Sequence, residues 1–449
     1  MLRKRWFRWL IPGLNIKRWL ALYSLGVGLL IIGISLLFNY QWLSYIEDIV
    51  LAYSYSLTGY YNYNVLILVG AVLIGIAAVL ILVGTSKVIK TIIRAVLPDP
   101  SSKVSDIIFQ NIRLDKGPKI VVIGGGTGLS NLLRGLKAHT SNLSAIVTVA
   151  DDGGSSGRLR EDFKMIAPGD LRNCLVALAE QEGVMENLFR YRFEGNNELS
   201  GHSFGNLFIT GLAQVYVGDI EEALEAASKL LRVRGRVIPS STEFIQLSAE
   251  LIDGTIVDGE SNIPHAGKKI KRVFSSPEHP KPEGAALRAI DEADVIILGP
   301  GSLYTSIIPN LLTDKIADHV RASKANKIYI ANVMTQPGET SGYTLADHVQ
   351  AIIDHSGGGI IDTVLANDGP LPIQMVEQYS AVGSEPVAID SKRLQDMGIR
   401  TVRATLISQE KPAIHDPERL GKVLMDIIYA MKSDMEPRVL EYYLRRADH

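Results

Sequence analysis

Two adjacent carboxylates, Asp151 and Asp152, begin a loop that continues with glycines, serines and an arginine. Carboxylates in this position could bind sugar hydroxyls, hold Mg²⁺ or orient a hydroxyl nucleophile. Ser155 adds a hydroxyl donor, and Arg158 could pair with a phosphate. A solvated acidic loop without a ligand is the alternative. Because the loop follows a predicted buried strand, we favour a binding role.

A glycine-rich loop precedes these carboxylates in the sequence, consisting of Gly124, Gly125, Gly126, Thr127 and Gly128. It follows an apolar run at residues 119–123 and opens a predicted helix. Glycines allow close backbone approach, and a helix N-terminus offers N–H groups to phosphate. The spacing matches neither the dinucleotide fingerprint nor the P-loop. The loop therefore predicts phosphate or nucleotide binding of another type, with a tight turn as the alternative.

A second group of candidate ligand contacts lies further along the chain. Arg172 follows a predicted helix start and is expected to point toward the anionic site. Ser203 or Asn206 could bind a base or a phosphate. A second glycine loop after the strand at residues 295–298 contributes Gly301, Ser302 and Tyr304, whose side chain could stack on a base or bind a sugar. The loop at residues 336–340, after the predicted strand at 327–331, is a weaker candidate for the same rim.

Three further residues are ambiguous from the sequence. Asp170 is explained by helix capping as well as by a ligand role. His202 could be a general acid or base, or a structural residue. Cys174 lies in an apolar run and is predicted to be a core residue.

These loops need a parallel sheet to position them. Short apolar runs at residues 119–123, 144–150, 295–298, 327–331 and 363–366 alternate with helical patterns, which predicts a doubly wound α/β fold with helices on both faces. Residues 185–280 differ, and Asp253-Gly254 between two alternating runs predicts a hairpin. We interpret this section as an α+β insertion.

The N-terminal region predicts a membrane anchor at residues 1–96. Residues 19–38 and 65–84 contain no charged side chain and are long enough to cross a bilayer. Basic residues precede the first span and follow the second, whereas the tyrosine-rich loop at residues 39–64 contains no Lys or Arg. This pattern predicts a two-span hairpin with the loop outside and both termini and the main domain in the cytoplasm. A cleaved signal peptide is the alternative for the first span. A linker at residues 97–117 and a tail at 436–449 complete the expected organisation.

Composition narrows the function classes. Residues 100–449 carry more acidic than basic side chains, which argues against nucleic-acid binding. The single cysteine excludes an internal disulfide framework and a multi-cysteine zinc site.

The motifs together resemble the YvcK family of gluconeogenesis factors, which is related to 2-phospho-L-lactate transferase (CofD). The resemblance covers about residues 118–435 and rests on GGGTGLS, AIVTVADDGGSSGRLR, PGDLRNCLVALA, ELSGHSFGNL, GPGSLYTSIIPNLL and NVMTQPGET. It implies a Rossmann-like CofD fold that binds a UDP-sugar such as UDP-N-acetylglucosamine through the first glycine loop, Asp151, Asp152, Asn206 and Tyr304. It also implies links to cell shape, peptidoglycan precursor supply and growth on gluconeogenic carbon sources. The membrane hairpin departs from the soluble members of that family.

Two function classes follow from these observations. The first is a membrane-tethered, non-catalytic regulator that binds a UDP-sugar, forms a homo-oligomer and signals to a protein partner in cell-wall synthesis. The second is a CofD-type transferase that moves a phospholactyl group to a deazaflavin, with Asp151 or Asp152 holding Mg²⁺ or orienting the hydroxyl. A nicotinamide dehydrogenase is a third class, which the glycine spacing disfavours.

Overall fold

The computed structural model describes residues 16–38, 44–60, 63–96, 112–180, 182–407 and 414–432. The chain divides into two compact units, Met1–Gln110 and Asn111–His449. Most of the predicted linker (residues 97–111), the predicted tail at 436–449 and the first 15 residues lie outside the described part. So do the side chains of residues 92–96, one of which is the basic Arg94.

The described residues of the N-terminal unit form three helices, α1 (Ile16–Phe38), α2 (Ser44–Thr58) and α3 (Tyr63–Val96). Within them, Lys17–Leu37 and Asn64–Thr91 are long and apolar enough to cross a membrane. Glycines bring α1 and α3 together: a Cβ on Gly33 would lie 2.9 Å from the Gly70 carbonyl oxygen, and one on Gly84 would lie 3.2 Å from the Trp19 carbonyl oxygen. The pairing of early α1 with late α3 makes the two helices antiparallel.

Helix α2 was not predicted from the sequence, which placed a tyrosine-rich loop at residues 39–64. One face of α2 packs on the hairpin through Leu51, which forms a small buried cluster with Leu36 and Leu66. Serines and tyrosines at the other positions weaken the helical pattern in the sequence.

The second unit is built on a seven-stranded sheet in which every pair is parallel. The strand order is β10-β9-β8-β7-β1-β2-β3. The strands are β1 (Ile120–Gly124), β2 (Leu143–Val147), β3 (Arg236–Pro239), β7 (Val295–Leu298), β8 (Asn326–Ile330), β9 (Thr363–Asn367) and β10 (Arg400–Ala404). The adjacent strands β1 and β7 are aliphatic apart from Gly124 and wholly buried, and their neighbours β2 and β8 are mostly buried, as expected for strands covered on both faces.

Helices cover both faces of this sheet. They are α4 (Gly126–Leu136), α5 (Gly154–Phe163), α6 (Pro168–Leu178), α7 (Glu182–Arg190), α8 (Phe204–Val215), α9 (Ile220–Leu231), α10 (Gly284–Asp291), α11 (Leu303–Leu312), α12 (Ile316–Ala322), α13 (Leu345–Ser356), α14 (Ile373–Ser380), α15 (Ser391–Asp396) and α16 (Pro417–Lys432). The buried side chains of the strands and helices form one continuous hydrophobic core.

A small antiparallel sheet of order β5-β4-β6 is inserted between β3 and β7. Its strands are β4 (Gln246–Leu251), β5 (Ile256–Asp258) and β6 (Ile270–Ser276). The predicted hairpin at Asp253-Gly254 is confirmed, since β4 and β5 pair on either side of it. Residues 185–280 do not form a single continuous insertion, however, because β3 lies within them and pairs with β2 of the main sheet.

Candidate functional site

The two glycine loops meet where the direction of the chain across the sheet reverses. Strand β1 lies between β2 and β7, and the chain adds strands to one side of β1 before it adds strands to the other. In open parallel sheets, ligands bind in the crevice beyond the carboxyl ends of the strands at this point. The first glycine loop follows β1 and the second follows β7, so both line the crevice.

The loops contact each other through their backbones. A Cβ on Gly128 would lie only 2.4 Å from the carbonyl oxygen of Pro300, and one on Gly124 would lie 3.9 Å from the Cα of Gly299. No side chain fits at Gly128 without separating the loops. Asn310 strengthens the junction, because its side-chain amide donates to the Gly124 carbonyl at 3.1 Å.

The first loop has the backbone of a phosphate-binding turn. Gly126 has a φ of +65°, which favours glycine. Helix α4 begins there and has no side-chain cap. Thr127 is exposed at the rim, whereas the Gly126 N–H donates to the Asp170 carboxylate. This loop therefore presents a helix start with positive dipole character to the crevice.

The two adjacent carboxylates have different environments. Asp151 Oδ1 accepts the Gly153 N–H at 3.0 Å, and its Oδ2 lies so close to Gly169 that a Cβ there would be 2.9 Å away. Asp152 accepts two backbone N–H groups, from Glu260 at 2.9 Å and from Ser261 at 2.9 Å. Asp152 thus holds the turn after β5 at the crevice through these two hydrogen bonds. Asp151 accepts only the Gly153 N–H among these backbone groups, so it is the better placed of the two carboxylates to bind a ligand.

Two partly buried acids, Asp170 and Glu260, lie in this part of the crevice. Burial, and next the charge of Asp151, raise the pKa of Asp170 to about 6. Burial, and next Asp151 and Asp152, raise the pKa of Glu260 to about 8. Glu260 therefore carries a proton at neutral pH, which lowers the negative charge that an incoming phosphate would meet.

A network of hydrogen bonds forms the opposite wall. Arg172 Nη1 donates to Ser203 Oγ at 2.7 Å and to Asn206 Oδ1 at 3.0 Å. The Asn206 amide donates in turn to Ser155 Oγ at 3.1 Å. The structure thus brings together four residues predicted separately from the sequence, although Ser155, Ser203 and Asn206 are buried and only Arg172 is partly exposed.

Ser155 also contacts His202, with 3.1 Å between Ser155 Oγ and His202 Nδ1. Burial, and next the charge of Arg158, lower the pKa of His202. Arg158 is itself exposed, and its guanidinium donates to the Ser200 carbonyl at 2.9 Å. We interpret the Ser155–His202 pair as part of the wall, because Ser155 is buried and already accepts a hydrogen bond from Asn206.

The second glycine loop is held by side chains from the segments after β8. Gly301 exchanges two hydrogen bonds with the Asn332 side chain, and Ser302 Oγ donates to Gln336 at 2.7 Å. Glu339, only 3% exposed, accepts the Tyr304 N–H and the Thr305 hydroxyl at the start of α11. Burial raises the pKa of Glu339 to about 7. This helix start is therefore occupied by a carboxylate of the chain itself.

Tyr304 lies in the core rather than at the rim. Its side chain is 2% exposed, and its hydroxyl is 2.8 Å from that of Tyr343. The expectation that its ring stacks on a ligand base does not fit this placement. Its position in the first turn of α11 turns the ring toward α13, where it also contacts His355.

The Mg²⁺ expected for a transferase finds little support in the donor set. Within the described ranges, no group of three or more His, Cys, Asp or Glu is arranged to hold a metal ion. Asp152, one of the two expected ligands, has both oxygens engaged by backbone N–H groups. Cys174 is buried, as the sequence predicted.

Sequence reasoning missed the acids that complete the crevice. Glu260 follows Asp152 by 108 positions, and its turn contains no motif that signals a site. Glu339 lies in the 336–340 loop, which the sequence indicated only as a weaker candidate for the same rim. The sequence signal for Glu339 was that its loop follows a buried parallel strand and therefore lies at the same edge of the sheet as the two glycine loops.

Comparisons with known proteins agree with this geometry. The family model described as 2-phospho-L-lactate transferase CofD matches residues 120–407. A crystal structure of a UPF0052-family protein from Bacillus halodurans has a TM-score of 0.66 and 49% identity, and the match covers 69% of this chain and 99% of that one. The sheet and its crevice thus define an α/β protein of the CofD class.

Relatives identify the family within that class. The gluconeogenesis factor of Bacillus subtilis (strain 168) is 48% identical over 312 residues, which is 69% of this chain and 98% of that protein. That of Halalkalibacterium halodurans is 49% identical over 312 residues, 69% of this chain and 97% of its own length. A relative from Nostoc sp. (strain PCC 7120) is 45% identical over 427 residues, 94% of this chain and 92% of its own. The chain belongs to the gluconeogenesis factor (YvcK/UPF0052) family.

Proposed function

We propose that this chain is a membrane-tethered regulatory protein that binds a UDP-sugar such as UDP-N-acetylglucosamine. The observation that carries the proposal is the meeting of two glycine loops at the point where the sheet reverses direction. Gly128 lies against Pro300 there, so the site depends on both loops. A nucleotide diphosphate fits this edge because the start of α4 has a positive dipole end and offers N–H groups beyond that of Gly126, which Asp170 accepts.

The surrounding side chains suit the rest of such a ligand. Asp151 can accept hydrogen bonds from ribose or hexose hydroxyls, and Arg172 supplies the cation of the wall. As the name of the relatives suggests, we place the role in growth on gluconeogenic carbon sources. We extend it to cell shape and peptidoglycan precursor supply, through a homo-oligomer and a protein partner in cell-wall synthesis.

The membrane tether is supported by the packing of the N-terminal unit. Glycines at the α1–α3 contact allow the close backbone approach that is typical of helices packed in lipid. Leucine, isoleucine and valine side chains remain exposed along both helices, among them Leu25, Ile31, Leu68, Val72, Val79 and Leu82. We propose a cytoplasmic location for both termini and for the CofD-like unit.

Calorimetry of the full chain in detergent tests ligand binding. UDP-N-acetylglucosamine should give saturable heat, and Asp151→Asn should weaken binding. The matched control is Asp162→Asn, an exposed residue of α5. Equal affinity of both variants would remove Asp151 from the site. Membrane sedimentation of the full chain against residues 111–449 tests the tether separately, and recovery of the full chain in the soluble fraction would contradict it.

A transferase is the second candidate, because the matching family model is that of 2-phospho-L-lactate transferase. In that role Asp151 would orient the deazaflavin hydroxyl for attack on the phospholactate phosphorus of a nucleotide-activated donor. The new P–O bond forms as the bond to the nucleotide breaks, and a nucleoside monophosphate leaves. Product formation from these two substrates decides the question. The proposal fails if the wild-type chain and Asp151→Asn give the same background rate.

A further inference from the structure

The N-terminal unit contains an apolar groove between α2 and the beginning of α3. Its volume is ≈ 370 Å³, and it is lined mainly by Ile49, Tyr53, Ser54, Leu57, Val65 and Val69.

 None of the lining residues is charged. Since a water molecule takes up ~30 Å³, the groove has room for roughly a dozen groups of that size.

One hydroxyl in this groove has no partner. Ser54 is 4% exposed, and its Oγ makes no hydrogen bond. Thr58 does not satisfy it, because the Thr58 hydroxyl donates to the Ser54 carbonyl oxygen instead, at 2.7 Å. A buried hydroxyl left without a partner is costly. The groove therefore fits a hydrocarbon chain that carries an oxygen acceptor near one end, and an apolar groove of this kind does not hold water well.

The surface around the groove indicates where such a chain would come from. Tyr45, Ile49, Tyr53 and Leu57 follow one another at intervals of four residues and form an exposed stripe along α2. On α3, the exposed Leu68 and Val72 lie one turn from the lining residues Val65 and Val69. An amphipathic helix with tyrosines beside two spanning helices is typical of the membrane–water interface.

We propose that this groove binds one acyl chain of a membrane phospholipid, with the Ser54 hydroxyl donating to the ester carbonyl oxygen. The inference rests on the membrane tether of the proposed function and is independent of the UDP-sugar site. Binding of an acyl chain would give α2 a role distinct from the membrane-spanning role of α1 and α3. The anchor would then contact a specific lipid chain at the outer end of the hairpin.

Photo-cross-linking tests the proposal. The full chain is placed in phosphatidylglycerol nanodiscs that contain a phosphatidylcholine with a diazirine on its acyl chain, and adducts are mapped by mass spectrometry. We expect adducts concentrated on the groove residues. Val69→Trp should fill the groove and abolish them, whereas Leu82→Trp, an exposed position further along α3, should leave them unchanged. Ser54→Ala should lower them about two- to tenfold, which corresponds to one lost hydrogen bond.

The possible failures can be told apart. Adducts spread over α1 and α3 in proportion to exposure, with no effect of Val69→Trp, would overturn the groove and leave the tether standing. A complete absence of adducts would contradict the tether itself. Cross-linked dimers through α2 in place of lipid adducts would identify a second copy as the occupant and overturn the lipid proposal.

Discussion

The two units of this chain use glycine for close contact in opposite settings. In the N-terminal unit, Gly33 and Gly70 let two apolar helices touch, and the surface around them is apolar. In the CofD-like unit, Gly128 lets two loops touch at a sheet edge surrounded by acids, an arginine and hydroxyls. The first contact positions helices, and the second positions a binding crevice. The match to the gluconeogenesis factors of Bacillus subtilis and Halalkalibacterium halodurans covers 97–98% of their length and 69% of this chain.

The largest expected effect is that of Gly128→Val. The new side chain would meet the Pro300 carbonyl oxygen and separate the loops. We expect loss of measurable UDP-sugar binding and a fall of about 1–3 kcal/mol in the free energy of unfolding. Membrane sedimentation should be unchanged. Gly211→Val in α8 is the control, because a Cβ there meets nothing within 4 Å.

The converse change, Gly70→Val, breaks the contact in the other unit. Its side chain would meet the Gly33 carbonyl oxygen at 2.9 Å and force α1 from α3. We expect earlier thermal loss of helical signal from the anchor, equivalent to about 1–3 kcal/mol, with unchanged UDP-sugar affinity. Gly75→Val is the control, since space is open there. A drop in affinity for Gly70→Val alone would show that the two units are coupled.

Asp152→Asn tests whether Asp152 holds the turn after β5. The variant loses the charge that accepts the Glu260 and Ser261 N–H groups. We expect a loss of about 1–3 kcal/mol in the free energy of unfolding and faster hydrogen exchange at residues 259–261. Asp162→Asn provides the comparison. Unchanged exchange in this turn would remove Asp152 from the positioning role.

Glu339→Gln should change the pH dependence of stability. Burial raises the pKa of Glu339 from 4.5 to about 7, so the folded chain holds a proton that the unfolded chain releases above pH 4.5. The free energy of unfolding therefore falls as the pH rises from 4.5 to about 7, by up to ~1.4 kcal/mol per pH unit. Denaturant unfolding across this range should show a shallower slope for Glu339→Gln. Identical slopes would contradict the raised pKa.

The smallest effect is that of Tyr304→Phe. It removes one hydroxyl pair with Tyr343 and should cost about 0.5–1.5 kcal/mol of unfolding free energy. Because the ring is 2% exposed, UDP-sugar affinity should stay the same. A clear loss of affinity in calorimetry would return Tyr304 to the ligand site.

Much of the sheet could be predicted from the sequence, because β1 and β7 are continuous aliphatic runs and β2, β8 and β9 are short, mostly apolar runs. The edge strands β3 and β10 were missed, since Arg236 and Arg400 begin them and their patterns are short and mixed. Helix α2 was missed for a related reason, as its tyrosines and serines resemble a loop.

The site could be predicted only in outline. Loops that follow parallel strands must share one edge, so the glycine loops, Asp151 and Arg172 could be placed together. The partners of Asp152 and the acid Glu339 depend on contacts between distant segments, which local patterns do not encode. Tyr304 shows the same limit. Its place in the sequence directly after the second glycine loop could be predicted, but the direction in which its ring points could not.

Calorimetric titration of the full chain with UDP-N-acetylglucosamine tests the central claim most directly. The account predicts saturable binding that Gly128→Val abolishes and Gly70→Val leaves intact. Absence of saturable heat with any UDP-sugar, or equal affinity for the wild-type chain and Gly128→Val, would contradict a nucleotide-sugar site at the junction of the two glycine loops.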